Sequence, residues 1–231
     1  MMQFETGGFI RSKKGMPHPD LQYHFVPGAV VGQSEFLPHH AFQAHCGTMR
    51  PESRGSVKIT SNNVLDYPDI DPNYLGTQSD IEDMRAGFRL TEEIIGQPAF
   101  DEYRGEPLHA GEVDINDDES VDNWIRQHSH SAYHPSCTVA MGTCVDTAGR
   151  VKGTTGLRVV DASIMPSMVS GNLNAPTIMV AEKIADHIVG NKQLPKDVGE
   201  KGWFMPEDVE GTQRCSKPKK DLVGGLGGDR W

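Results

Sequence analysis

His134 stands between Tyr133 and Pro135 in the stretch YHPSC, and Asn172 and Asn174 stand in SGNLNAPT, just ahead of an apolar run. Imidazole titrates near neutral pH, so it can take a proton from an alcohol and hold it. A carboxamide can donate a hydrogen bond into a site. The residue before a proline is pushed out of the helical region, so any helix ahead of His134 has stopped and the ring sits at a bend, free to face a cleft. Each group also has a plainer reading. A histidine after a helix is usually structural or exposed, and asparagine before one usually caps it or forms a turn. Two asparagines separated by one residue allow a division of labour, one capping and one donating into a site. The helix they precede offers free N–H groups and a partial positive charge, which suit an anion.

These groups act together only if folded elements bring them to one place. LQYHFVPGAVV, AFQAHCGTMR and GSVKITSNN are rich in aromatic and β-branched residues and broken by Pro, Gly and Ser, so they read as strands of a mainly antiparallel sheet. The turn PESRG joins the last two as an expected hairpin. SDIEDMRAGFRLTEEIIGQ reads as a helix capped by Ser79, with Glu82 completing a capping box; Ile81, Met84, Phe88 and Ile94 or Ile95 recur at helical spacing, and Gly96 ends it. DDESVDNWIRQHSHS reads as a second helix with acidic residues in its first turn. GLRVVDAS reads as a short buried strand that needs flanking strands. The last helix is expected to start with Asn174 as cap and Pro176 near its first position. Ile178, Ala181, Ile184, Ala185 and Ile188 line one face, and Gly190 closes it.

The chain has 231 residues, 36% of them hydrophobic, and a formal charge of −10. That charge argues against a nucleic-acid surface, which needs cations to neutralise phosphates. It would favour a cationic substrate mildly and solubility more simply. No window of about 18 apolar residues offers a membrane span. The N-terminus has neither the apolar core of a secretion signal nor the composition of a transit peptide. The four cysteines, Cys46, Cys137, Cys144 and Cys215, lack the density of a disulfide scaffold, and a reducing compartment is the default.

Taken in order, YHPSC, MGTCVD and GLRVVDASIMPSMVSGNLNAPTIMVAEKIADHIVG resemble the C-terminal end of the glucose–methanol–choline (GMC) oxidoreductases, and within them the choline dehydrogenase branch. ETGGFIRS, PHPDLQYHF, HCGTMRPESRG, DPNYLGTQSDIEDMR and AFDEYRG extend the resemblance over roughly residues 3 to 190. It implies an α+β fold: a mainly antiparallel sheet flanked by helices, plus a C-terminal strand–loop–helix belonging to an incomplete FAD-binding domain. Residues 1–130 are then the substrate-binding domain and 131–190 the flavin-site segment. Residues 191–231, which show no periodicity, read as an extended, partly disordered tail. The implied cofactor is FAD. The implied reaction is oxidation of a primary alcohol to an aldehyde, choline to betaine aldehyde on the way to glycine betaine, with hydride passing to the flavin N5. By the same resemblance His134 is the catalytic base, and Asn172 holds the position of its partner, histidine in some members and asparagine in others. Asp161 and Ala162 match the strand end that approaches the flavin. Asn174, Pro176 and Thr177 match the helix start under its pyrimidine ring.

A cationic alcohol also needs an aromatic or carboxylate pocket, for which Glu5, Tyr23, Phe25 and Trp124 are chemically suited. The resemblance implies mitochondrial placement for a eukaryotic source, and cytoplasmic or membrane-associated placement otherwise. It leaves open the electron acceptor and a peripheral attachment of the full enzyme to a membrane. A dinucleotide-binding fingerprint is not found in these residues, since GGLGGD near the C-terminus lacks a flanking strand or helix. The expectation is therefore that these residues alone are a fragment that neither holds FAD nor turns over alcohol. Three rival readings stand beside it. His128, His130, His134, Cys137 and Cys144 could bind zinc, although their spacing fits no common pattern. The chain could be a non-catalytic substrate-binding or regulatory paralogue. Cys137 with His134 could form a nucleophile and base, although three residues along a turn do not naturally face each other.

Overall fold

The computed structural model describes residues 6–31, 35–38, 40–108 and 113–192. Side-chain alternation along Leu21–Val26 (β2) sets the central layer. Leu21 and Tyr23 are buried on one face, while Gln22 and His24 point to the other. β2 pairs antiparallel with Thr6–Ile10 (β1) on one side and Gln43–Thr48 (β5) on the other. Two short antiparallel pairs complete the described strands: Val30–Val31 (β3) with Glu35–Phe36 (β4), and Ser56–Lys58 (β6) with Asp69–Asp71 (β7). The mainly antiparallel α+β expectation is met. β1 was not foreseen, because TGGFI has glycines where a strand signal needs side chains. The structure requires one of them: a Cβ on Gly7 would lie 2.4 Å from the Tyr23 carbonyl oxygen.

PESRG does not make the expected hairpin, since β5 pairs with β2 and β6 with β7. A buried carboxylate explains the difference. Asp80 accepts from the N–H groups of Glu52 (2.7 Å) and Ser53 (3.0 Å), and from the Ser53 hydroxyl, which ties the turn to the next helix. That helix, Gln78–Ile95 (α1), is capped by Thr77, whose side chain accepts from the Asp80 N–H. Ser79, the expected cap, instead donates to Glu52 Oε2 at 2.9 Å.

α1 lies on the buried face of the sheet through Gly87, where the backbones come close enough for Tyr23 OH to donate to the Gly87 carbonyl at 2.9 Å. Its outer side carries Asp118–His128 (α2), capped by Asp117. Val121 and Ile125 are buried between the helices, the Phe88 and Trp124 rings meet at 5.1 Å, and Arg85 grips both oxygens of Asp122 at 2.7 Å. The result is a stack of sheet, helix and helix.

A second core holds the C-terminal part. Val145, Ile164 and Ile184 are its buried centre, with Val139, Met141, Val151, Val159, Val160 and Val180 around them. Leu157–Val160 is not the buried strand expected. Leu157 is 53% exposed, and the stretch makes only an isolated bridge, Arg150 with Arg158. Among the described residues no strand lies beside it to complete a sheet. The last helix is Asn174–Val189 (α3), closed by Gly190 with φ 76° as expected. Leu173 occupies its cap position, so Asn174 is the first helical residue and Pro176 the third, still within the turn whose N–H groups have no helical partner. Ile184 is buried, whereas Ile178 and Ile188 are over half exposed, so the expected apolar face is only partly covered. The expected tail from residue 193 onward, with Cys215 and GGLGGD, lies outside the described residues, as does Glu5.

Candidate active site

α2 ends at His128, where the Ser129 N–H donates to Ile125 O at 2.9 Å. The chain then bends through YHPSC with two non-glycine residues in the left-handed region, Tyr133 (φ 59°) and Cys137 (φ 69°). Such residues are uncommon and each costs on the order of 1 kcal/mol or more, so the surrounding structure must hold them. It does so with a short backbone ladder. Cys137, Val139 and Met141 donate their N–H groups to the carbonyls of Ala162 (3.2 Å), Ser163 (2.9 Å) and Ile164 (2.8 Å). His134, half-buried, is thereby fixed three residues ahead of a strut that leads to the loop carrying Asn172.

The two predicted residues meet. Asn172 Nδ2 lies 2.9 Å from His134 Nε2, while Asn172 Oδ1 accepts from Gln22 Nε2 at 3.0 Å. With the amide nitrogen donating, the imidazole Nε2 must accept, and the proton of the neutral ring sits on Nδ1. Gln22 was missed in the sequence. Its signal was parity: a polar residue between two core residues of a strand must point away from that core. The same outward face carries His24 and, directly across in β5, His45, whose pKa is lowered by burial and then by the His24 charge.

The residues matched to the flavin sit around this pair. The Asp161 carboxylate accepts from Ser163 N–H (2.8 Å) and Ser163 Oγ (2.5 Å), holding the short 3-10 turn Ala162–Ile164. The Ala162 carbonyl anchors the ladder. Asn174, Pro176 and Thr177 form the first turn of α3, which starts without a side-chain cap, and Asn174 is exposed. Pro176 has no N–H and the Thr177 N–H donates to Leu173 O at 2.9 Å, so the N–H groups of Asn174 and Ala175 are the donors of that turn, a pair suited to an electron-rich ring edge.

The proposed cation pocket is not assembled from the expected aromatics. Tyr23 is 2% exposed and turned to α1, with its hydroxyl pKa raised by burial. Phe25 stacks between Tyr23 and Phe100, and Trp124 packs against Phe88 and the His128 ring. The described residues gather no group of three or more His, Cys, Asp or Glu able to hold a metal ion. Cys137 Sγ contacts Ser136 Oγ at 3.2 Å, while His134 Nε2 is engaged by Asn172, so the thiol and imidazole are not paired. A cavity of about 370 Å³ lies nearby, lined by Arg50, Pro51, Glu52, Arg54, Ser167, Met168 and Ser170, and does not include His134 or Asn172. Among the described residues no helix is long and apolar enough to cross a membrane.

Comparison with known proteins bears on this geometry. The GMC oxidoreductase family profile matches residues 51–181. The chain is 52% identical over 203 residues to an oxygen-dependent choline dehydrogenase of Pseudomonas fluorescens, covering 86% of this chain and 36% of that protein. It is 49% identical over 211 residues to the protein of the same name in Pseudomonas savastanoi, covering 89% and 37%. The chain thus spans little more than a third of the curated relatives it matches. Among solved structures, pyridoxine 4-oxidase from Mesorbium loti superposes with a TM-score of 0.74 at 26% identity, over 83% of this chain and 39% of that one. An FAD-dependent oxidoreductase from Chaetomium thermophilum superposes at 0.59 with 30% identity, over 75% and 28%. The mitochondrial placement expected from resemblance is corrected by these relatives, since the choline dehydrogenases matched are bacterial. The matched profile, the identity to these relatives and the shared fold agree: the chain belongs to the GMC oxidoreductase family.

Proposed function

We propose that this chain contributes the alcohol-facing part of an FAD-dependent enzyme that oxidises a primary alcohol of choline type to its aldehyde, toward glycine betaine. The supporting observation is the contact of His134 Nε2 with Asn172 Nδ2, two groups brought from separate loops. In this reading, residues 1–130 carry the substrate side and residues 131–190 the flavin side. The one lone pair of His134 Nε2 is held by the Asn172 N–H in this geometry. When the substrate oxygen takes over that N–H, Nε2 is freed to accept the hydroxyl proton, which it returns to solvent afterwards. Asn172 Nδ2 donates to the substrate oxygen as negative charge grows there. Asp161, Ala162 and the first turn of α3, with Asn174, Pro176 and Thr177, would hold the isoalloxazine edge. FAD, when bound, supplies the hydride acceptor.

The test is a chimera in which this chain replaces the matching segment of the Pseudomonas fluorescens relative. Choline-dependent reduction of an acceptor is expected, and His134→Ala should lower its rate by about 10²–10⁴-fold. A chimera that binds flavin and keeps its rate without the imidazole would overturn the assignment. Flavin absorbance at about 450 nm on the 231-residue chain alone tests whether these residues retain the cofactor unaided.

A further inference from the structure

We infer that Gln22 is a positioning residue that sets which end of the Asn172 carboxamide faces His134, and so where the imidazole carries its proton. The inference rests on the reading of His134 as proton acceptor, but its geometry stands apart from any alcohol or cofactor. An asparagine side chain is nearly symmetric in shape and opposite in function at its two ends, one a donor and one an acceptor. Nothing about His134 alone selects between them, because a neutral imidazole can offer either a lone pair or an N–H at Nε2. The selection has to come from whatever touches the other end of the amide.

Gln22 Nε2 touches it, at 3.0 Å from Asn172 Oδ1. A donor there holds the oxygen end toward the sheet and leaves Nδ2 facing His134 Nε2 at 2.9 Å. Both tasks assigned to the site need this orientation. The imidazole must present a lone pair to take a proton, and the amide must present an N–H to a developing alkoxide. Gln22 is well placed to set the orientation. It lies on the central strand of the three-stranded sheet, between Leu21 (0% exposed) and Tyr23 (2%), and its backbone is paired on both sides, with Phe9 and with Gly47. Among the described residues the loop that carries Asn172 pairs with no strand, and Asn172 itself is exposed although the next residue, Leu173, is buried. The Gln22 and Asn172 carboxamides are thus coupled head to tail, and a side chain anchored in the sheet is linked to the state of a more open loop across 150 residues of sequence.

The test reads the tautomer of His134 directly, by long-range ¹H–¹⁵N NMR on the 231-residue chain at about pH 9, where imidazoles are neutral. The unmodified chain should carry the His134 proton mainly on Nδ1. Gln22→Glu offers only acceptors, so Asn172 should turn its Nδ2 to the sheet and its Oδ1 to His134, moving the proton to Nε2. The Nδ1–H to Nε2–H ratio should fall by about fivefold or more, the weight of one ordinary hydrogen bond. Gln22→Leu, which keeps an uncharged side chain on the strand, should lower the ratio less and serves if the glutamate variant does not fold. An unchanged ratio in a folded variant would overturn the inference. So would an equal shift in an Asn172→Ala background, since the glutamate charge would then act without the amide. The outcomes separate this inference from the functional reading: a moving tautomer beside a chimera indifferent to His134→Ala refutes the proton-acceptor role alone, whereas a fixed tautomer beside a His134-dependent chimera refutes the role of Gln22 alone.

Discussion

Replacing Gly87 with alanine sets two effects of known size against each other. In an exposed helix interior, glycine to alanine stabilises by about 1 kcal/mol, because the chain loses less entropy on folding. Gly87 lies within α1 but is buried, so the entropic part of that gain applies and the room for a methyl decides the rest. Its added Cβ, however, would stand 2.6 Å from Cys46 Sγ and 3.5 Å from Leu21 Cδ2. Real Cβ atoms do not approach a heavy atom that closely, so the helix must lift from the sheet or Cys46 must leave its rotamer. Overpacking of this kind costs about 1–3 kcal/mol. Lifting the helix also stretches the 2.9 Å bond from Tyr23 OH to the Gly87 carbonyl, a bond of about 1 kcal/mol. The clash outweighs the propensity, and Gly87→Ala should destabilise the chain by about 1–2 kcal/mol, or about 2–8 °C in Tm for a chain of this size. Urea and thermal unfolding followed by circular dichroism measure it. Cys46→Ala removes the sulfur that the new methyl meets, so in that background the same substitution should be neutral or stabilising, with a coupling of about 1–2 kcal/mol. Stabilisation by Gly87→Ala in the unmodified chain would refute the close sheet–helix approach on which the placement of β2, and with it Gln22, depends.

Two further outcomes follow from the same packing. Burial alone would push the Asp80 carboxyl up, but the Ser53 hydroxyl, the Glu52 and Ser53 N–H groups and the Thr77 hydroxyl outweigh it and hold the pKa below its usual value. Its stabilisation is then present above the ordinary carboxylate range and lost as pH falls through the depressed native value. Asp80→Asn should cost about 1–3 kcal/mol at pH 7 and less near pH 3, and an equal cost at both would contradict this account. Burial pushes the Cys46 thiol up to about 11, so iodoacetamide at about pH 8 should alkylate exposed Cys144 while largely sparing Cys46, as peptide mass spectrometry would read. Comparable labelling of the two would place Cys46 outside the sheet–helix core.

The elements with strong local signals were legible. α1 and α2 carry their apolar spacing, and β2 carries two aromatic residues and a valine between turn formers. What local signals could not show was pairing. PESRG looks like a hairpin turn until a carboxylate beyond the next strand pair, Asp80, claims its N–H groups. Thr77 outcompeted Ser79 as cap because Ser79 had Glu52 to bind. Leu157–Val160 had the composition of a strand without neighbours, and composition does not supply a ladder. At the site, the meeting of His134 and Asn172 followed from family resemblance and not from spacing. Gln22 was hidden because its role depends on a contact with a loop far along the chain.

The left-handed backbone at Tyr133 and Cys137 also limits how this segment can drift. Side chains branched at Cβ are heavily penalised there, whereas glycine, asparagine and aspartate tolerate the conformation. A saturation library across residues 133–137, selected only for folding, should therefore be enriched in those three at both ends and depleted of valine, isoleucine and threonine. Variation in this loop is then rationed by torsion angles before any selection on chemistry begins.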